Sequence, residues 1–204
     1  MSAPSASPVP GGIEFDPESL DAHLRHAIPG LEGPMRVARI GGGQSNPTFY
    51  VDFDNRALVL RKQPPGALLP SAHAVDREYR VLRALAGSAV PVPRTVLYCD
   101  DRTVIGTPFY VMEKLEGRVM SNYALPDIGP AERRAYYFAM AETLAHLHAV
   151  DWAAAGLADY GRPGNFFQRQ IARWTRQWEA SRTREDAHID QLIQWLPANI
   201  PPGD

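Results

Sequence analysis

Gly41-Gly42-Gly43-Gln44-Ser45-Asn46-Pro47-Thr48 lies between two segments that read as strands. Met35-Arg36-Val37-Ala38-Arg39-Ile40 precedes it. Phe49-Tyr50-Val51-Asp52-Phe53 follows, alternating apolar and polar residues at the period of a half-buried strand. Three glycines at a strand-to-strand corner let backbone N–H groups approach a ligand that side chains would hold away. Nucleotide phosphates are the usual ligand of such a corner. Taken alone, the run also reads as a plain flexible hairpin turn, so its meaning rests on the flanking elements.

Upstream, Asp16-Pro17-Glu18 supplies a cap, a first-turn proline and an early acid, predicting a helix to about Ile28. Gly30 to Pro34 break the chain. Strands are expected at 35–40, 48–53 and 57–62, the last two joined by an Asp54-Asn55 turn. After the loop Pro64-Pro65-Gly66 to Pro70, a helix is expected from Ala72 to Ala86, then strands at Thr95–Cys99 and Pro108–Glu113. From Pro130 the pattern turns helical, with helices expected at 131–149, 166–180 and 185–195. The composition shift at Leu115–Gly117 marks a lobe boundary, sheet before it and helices after.

The third strand, Leu58-Val59-Leu60-Arg61-Lys62, ends in two cations. Strand alternation sends Val59 and Arg61 to one face, Leu60 and Lys62 to the other, so one cation points inward beneath the glycine corner. On the following helix Val75, Tyr79, Leu82, Leu85 and Ala86 form an apolar stripe, with Glu78 at its edge. A carboxylate there costs several kcal/mol unless a cation meets it, and a strand cation is the natural partner. The competing arrangement has Glu78 reaching water and both cations on the surface. The last strand, Phe109-Tyr110-Val111-Met112-Glu113, runs into Lys114-Leu115-Glu116-Gly117, an apolar strand ending at a polar, glycine-bounded junction. Free backbone groups there suit a flat heterocycle, and the same pattern also fits any central strand.

In this order the elements resemble the small lobe of protein-kinase-like folds, and more specifically the aminoglycoside phosphotransferase family. The glycine run, Leu58 to Gly66, Arg77-Glu78-Tyr79 and Tyr110 to Gly117 look most like the phosphotransferase domains related to those fused to some acyl-CoA dehydrogenases. The resemblance covers roughly residues 20 to 204. It implies an α+β fold: a disordered tail at 1–15, a nucleotide-binding lobe at 16–115 with a five-stranded antiparallel sheet and one packed helix, and the first helices of an incomplete helical lobe at 116–204. It also implies roles. Gly41, Gly42, Gly43, Gln44, Ser45 and Asn46 would cover the phosphates of ATP, although the run departs from the kinase G-x-G-x-x-G spacing. Val59 would lie over adenine. Arg61 would contact phosphate and pair with Glu78, with Lys62 as the other candidate. Met112 would back the adenine pocket, and the backbone of Glu113 and Leu115 would bond the base.

The family transfers phosphate with an H-x-D-x-x-x-x-N segment and a later acidic magnesium ligand. His188-Ile189-Asp190 begins correctly, but the position five beyond Asp190 is Trp195, and Ile189, Leu192, Ile193 and Leu196 form a helical stripe. The segment is rejected. The chain is therefore expected to be the front portion of a phosphotransferase, inert by itself, with Mg²⁺ required only alongside the portion after residue 204. Its partners would be a nucleotide and a small-molecule hydroxyl acceptor, with hydroxyacyl-CoA implied by the acyl-CoA dehydrogenase branch. A natural nucleotide-binding module without turnover is the alternative.

On 131–149, His148 is expected to project into an apolar face of Tyr137, Phe138, Ala141, Leu144 and Ala145 as a core histidine, with His146 pointing away. Two residues apart on a helix, they cannot share a metal. The helix bearing Arg169, Arg173, Trp174, Arg176 and Trp178 reads as amphipathic with a solvated basic face, or as part of an anionic acceptor site.

Composition is that of an ordinary globular protein: 204 residues, 45% hydrophobic and 22% charged. A net charge of −2 argues against general affinity for nucleic acid or anionic membrane. No stretch of about 18 apolar residues occurs. Met1 to Gly12 lacks the basic start and apolar centre of a signal peptide, and the single cysteine, Cys99, fits a reducing cytoplasm.

Overall fold

A computed structural model describes residues 12–41, 45–66, 73–120, 122–162 and 164–202. Helix α1 spans Pro17–Ala27, with the Asp16 carboxylate accepting from the Glu18 N–H at 3.0 Å and Pro17 in the first turn. Strands β1 (Arg36–Arg39), β2 (Thr48–Asp52) and β3 (Ala57–Lys62) form an antiparallel meander. A two-residue turn at Asp54-Asn55 joins the last two, closed by the Phe53 N–H on the Arg56 carbonyl at 2.8 Å. Helix α2 (Val75–Leu85) follows, then β4 (Thr95–Cys99), a short α3 (Arg102–Ile105) and β5 (Phe109–Glu113). The sheet is five-stranded in the order β1-β2-β3-β5-β4, with every pairing antiparallel.

Alternation along the strands divides the sheet into two chemically different faces. Phe49, Val51, Leu58, Leu60, Phe109 and Val111 point to one side, where they meet Leu20, Leu24 and Ile28 of the α1 region and Ile105 of α3. This is the hydrophobic core. The sequence reading expected one helix packed on the sheet. α2 does pack against β4 and β5, but the apolar side is covered by α1. The side facing α2 carries Thr48, Tyr50, Val59, Arg61, Tyr110 and Met112, brought into line by the registers Thr48↔Arg61↔Tyr110 and Tyr50↔Val59↔Met112.

Packing divides the chain into two compact units, one running to Ala155 and the other Gly156–Asp204. In the first, α4 (Pro130–His148) follows the sheet. Its expected apolar face is not a core: Tyr137, Phe138 and Leu144 are exposed, and so is His148. The half-buried positions are instead Arg133, Tyr136, Thr143 and His146. Their side is gripped by the preceding segment, with the Arg133 guanidinium donating to the carbonyls of Leu125 and Ile128 and Arg118 reaching Glu132 and Tyr136. Polar anchoring thus overrides the hydrophobic stripe, which no described residue covers. In the second unit, α5 (Phe166–Ser181) and α6 (Ala187–Ala198) form an open apolar groove of about 330 Å³ lined by Trp174, Trp178, Ile189, Leu192, Ile193 and Leu196. Asp190 sits in the first turn of α6, 3.5 Å from Arg182, as part of a helix and not of a strand-bounded loop.

Candidate functional site

The site is built where Asn46, at the end of the glycine run, meets β3, β5 and α2. Arg61 leaves β3 on the α2 side, and its Nε donates to Glu78 Oε2 at 2.6 Å while Nη2 donates to Oε1 at 3.3 Å. This fork-to-carboxylate arrangement is the strongest geometry available to an arginine. Two further donors complete the carboxylate: Asn46 Nδ2 to Oε1 at 2.8 Å and the Tyr110 hydroxyl to Oε2 at 3.1 Å. Glu78 is therefore satisfied by four hydrogen bonds, and the alternative in which it reaches only to water does not occur. Arg61 Nη1 also donates to Thr48 Oγ1 at 3.3 Å, and that hydroxyl donates to the Asn46 carbonyl at 3.0 Å.

Burial and charge act together here. Desolvation first, then the Glu78 charge and its hydrogen bond, push the Tyr110 phenol far above its ordinary value, so it stays a neutral donor. Tyr79 of α2 lies against both Tyr98 of β4 and Tyr110 of β5, with ring centroids 5.5 and 6.1 Å away.

Lys62 does not join this group. It points to the opposite face, 1% exposed, with Nζ 3.8 Å from Glu14 and 5.7 Å from the centre of the Phe15 ring. Burial lowers its pKa, opposed by Glu14 and assisted by Arg39. Strand parity separates the two cations, and Arg61 alone meets Glu78.

Of the other residues singled out from the sequence, Gly41 and exposed Ser45 border the corner, whereas Gly42, Gly43 and Gln44 lie outside the described residues. Asn46 is only 4% exposed, with its side chain committed to Glu78 and His73. Val59 and Met112 stand side by side on the α2 face. The Glu113 N–H is already given to the Arg94 carbonyl at 2.9 Å, and its carboxylate accepts from the Arg94 N–H at 2.8 Å. Among the described residues the Leu115 N–H donates to none, and its side chain is 61% exposed. The helical half of the stripe ends at Leu85, since Ala86 is the exposed cap of α2.

Several members of the group escaped sequence reasoning. Thr48 and Tyr110 sit directly across from Arg61, a pairing legible only once register is known. Tyr50 lies opposite Val59, with Lys114 Nζ 4.5 Å from its ring centre and held by Asp52 and Glu116 at 3.7 and 3.8 Å. Lys114 so ties the segment after β5 back to β2. The helix expected from Ala72 includes His73, but α2 begins at Val75, and His73 stands before it at φ 58°. Among the described residues no group of three or more His, Cys, Asp or Glu is arranged to hold a metal ion, and no helix is long and apolar enough to cross a membrane.

A five-stranded antiparallel sheet with a strand cation paired to a helix carboxylate defines a protein-kinase-like small lobe. The sequence pattern of the phosphotransferase enzyme family matches residues 36–204, and the chain belongs to that family. It is 45% identical over 205 residues to acyl-CoA dehydrogenase family member 11 of Gallus gallus, covering 98% of this chain and 26% of the relative. The human member 11 is 42% identical across 94% of this chain and 25% of its own length. Mouse member 10 is 40% identical, with 98% and 19% covered. A crystal structure from Ralstonia eutropha, provisionally assigned as an aminoglycoside phosphotransferase, superposes with a TM-score of 0.78 at 45% identity, over 93% of this chain and 55% of that one. The chain thus spans about a quarter of the length of the curated relatives.

Proposed function

We propose that this chain supplies the nucleotide-binding portion of an ATP-dependent phosphotransferase that phosphorylates a small-molecule hydroxyl. Residues 16–115 serve as the nucleotide lobe. The observation that carries this reading is the Arg61–Glu78 pair, bound through Asn46 to the glycine corner. An arginine fixed at both ends of a carboxylate offers its remaining N–H groups to phosphate without a further loss of side-chain freedom. The row Tyr50–Val59–Met112 provides a flat, largely apolar surface for adenine beside it, and the Leu115 N–H and Glu113 C=O are the backbone groups for the base edge. The burial of Lys62 on the opposite face supports giving the phosphate role to Arg61.

Likeness to acyl-CoA dehydrogenase family members, together with the hydroxyl that a phosphotransferase needs, makes a hydroxyacyl-CoA the favoured acceptor class. The cytoplasm is the favoured compartment, consistent with a lone buried cysteine. A second reading, a nucleotide-binding module without turnover, draws on Asp190, whose helical setting disqualifies the one H-x-D triplet. Calorimetric titration with ATP tests the proposal. Saturable binding, weakened about tenfold or more by Arg61→Ala, is expected. Absence of ATP binding by the wild-type chain would overturn both readings, while binding without phosphate transfer to a hydroxyacyl-CoA by a longer protein containing this chain would favour the second.

A further inference from the structure

We propose that His73 is a positioning residue of the site, acting through the Asn46 amide on the Glu78–Arg61 pair; the role rests on the nucleotide-binding reading above. A carboxylate only accepts, so the Asn46 atom 2.8 Å from Glu78 Oε1 is the amide nitrogen. That assignment turns Asn46 Oδ1 toward His73 Nδ1, 3.0 Å away. Two lone pairs cannot face each other at this distance, so Nδ1 carries a proton and donates. Nδ1 is thereby fixed as the donor, whatever Nε2 carries. Its hydrogen bond holds the buried amide at the angle from which Nδ2 reaches the carboxylate. A chain of donors runs His73 to Asn46 to Glu78, and Arg61 is oriented by the same carboxylate from the other side.

The backbone supplies an independent argument. His73 has φ 58°, the left-handed region that costs a side-chain-bearing residue energy and that glycine adopts freely. Its carbonyl accepts from the Val75 N–H at 2.9 Å, turning the chain at Ala74 immediately before α2 begins. An imidazole at a position that a glycine would occupy without strain, with its ring nitrogen on the buried Asn46 amide that bonds Glu78 of α2, serves Asn46 and not the turn. Fixing Asn46 also fixes the chain next to Ser45, where the phosphates are expected.

The test uses three versions of the chain titrated with ATP, plus nitrogen-15 spectra of the histidine rings. His73→Asn places an amide N–H where Nδ1–H stood and tolerates left-handed φ, so ATP affinity should stay within about twofold of wild type. His73→Gly removes both strain and donor, and affinity should fall about tenfold, the scale of one lost hydrogen bond. The His73 ring should show its proton on Nδ1 in the wild type. A glycine variant that binds ATP as well as wild type, or a ring proton found on Nε2 alone, overturns the role of His73. Failure of the wild type to bind ATP instead defeats the nucleotide reading, and the ring spectra then still decide whether the His73–Asn46 link exists.

Discussion

Residue by residue, the site behaves as one charged pair inside a cage of neutral donors. Arg61 and Glu78 are each about a third exposed, at 31% and 34% of their side-chain surface, so solvent screens part of their attraction. Glu78→Ala strands the guanidinium and frees Asn46 and Tyr110 together, and a stability loss of about 1–2 kcal/mol is expected in urea unfolding. Tyr110 adds a pH dependence whose sign follows from its raised pKa. Its contribution is intact below about pH 10, the ordinary phenol value, and declines above it, because the unfolded chain then releases a proton that the folded chain keeps. Tyr110→Phe should flatten the fall in stability between pH 9 and 11, read as the difference in urea midpoints. Lys62 works the other way. Its ammonium is desolvated and its pKa is lowered, so the charged form at neutral pH opposes folding. Lys62→Met should stabilise the chain by about 1 kcal/mol without weakening ATP binding, since its partner Glu14 keeps Arg39 at 2.7 Å.

Among the elements, α1 and α4 are opposites. α1 buries Leu20 and Leu24 completely against the apolar face of the sheet, although it precedes every strand and the sequence indicates only that it is a helix. Leu24→Ala should therefore cost about 2–5 kcal/mol, by lost transfer energy and the cavity left behind. α4 is the more apolar helix on average, with its apolar residues spread around it, and it buries no described residue; Leu144 is 51% exposed. Leu144→Ala should change stability by less than about 0.5 kcal/mol. Paired thermal melts of the two variants check both statements. The expected ranking of His148 over His146 as the inward histidine failed for the same reason: helical period identifies a stripe, but partner contacts decide which side is covered. For strands the period was enough to separate Arg61 from Lys62, because alternation has only two outcomes.

For the whole molecule, sheet, core and site report on one another. Cys99 ends β4 inside the core cluster, 7% exposed, and burial raises its thiol pKa. A thiol reagent should label it only when the sheet opens, at a rate that rises with urea. ATP should slow that labelling in proportion to its occupancy, since a ligand bound to the folded state alone shifts the opening equilibrium. Labelling that ignores ATP at concentrations well above its dissociation constant would count against a nucleotide site on this sheet.

Local chemistry was enough to specify the strands, the long helices, the turn at Asp54-Asn55 and the opposed directions of Arg61 and Lys62, because each depends on propensity or on a period within a few residues. The single turn of α3 is too short to show a period, and the start of α2 falls three residues later than expected. Register could not be read that way. It sets Thr48 and Tyr110 beside Arg61, lines Tyr50 with Met112, and brings His73 to Asn46 across 27 positions of sequence. Which helix covers which face likewise follows from long-range packing, where burial is gained only by an element that finds a partner. A pattern of apolar residues announces a surface that can be buried, and the folded chain alone selects whether it is.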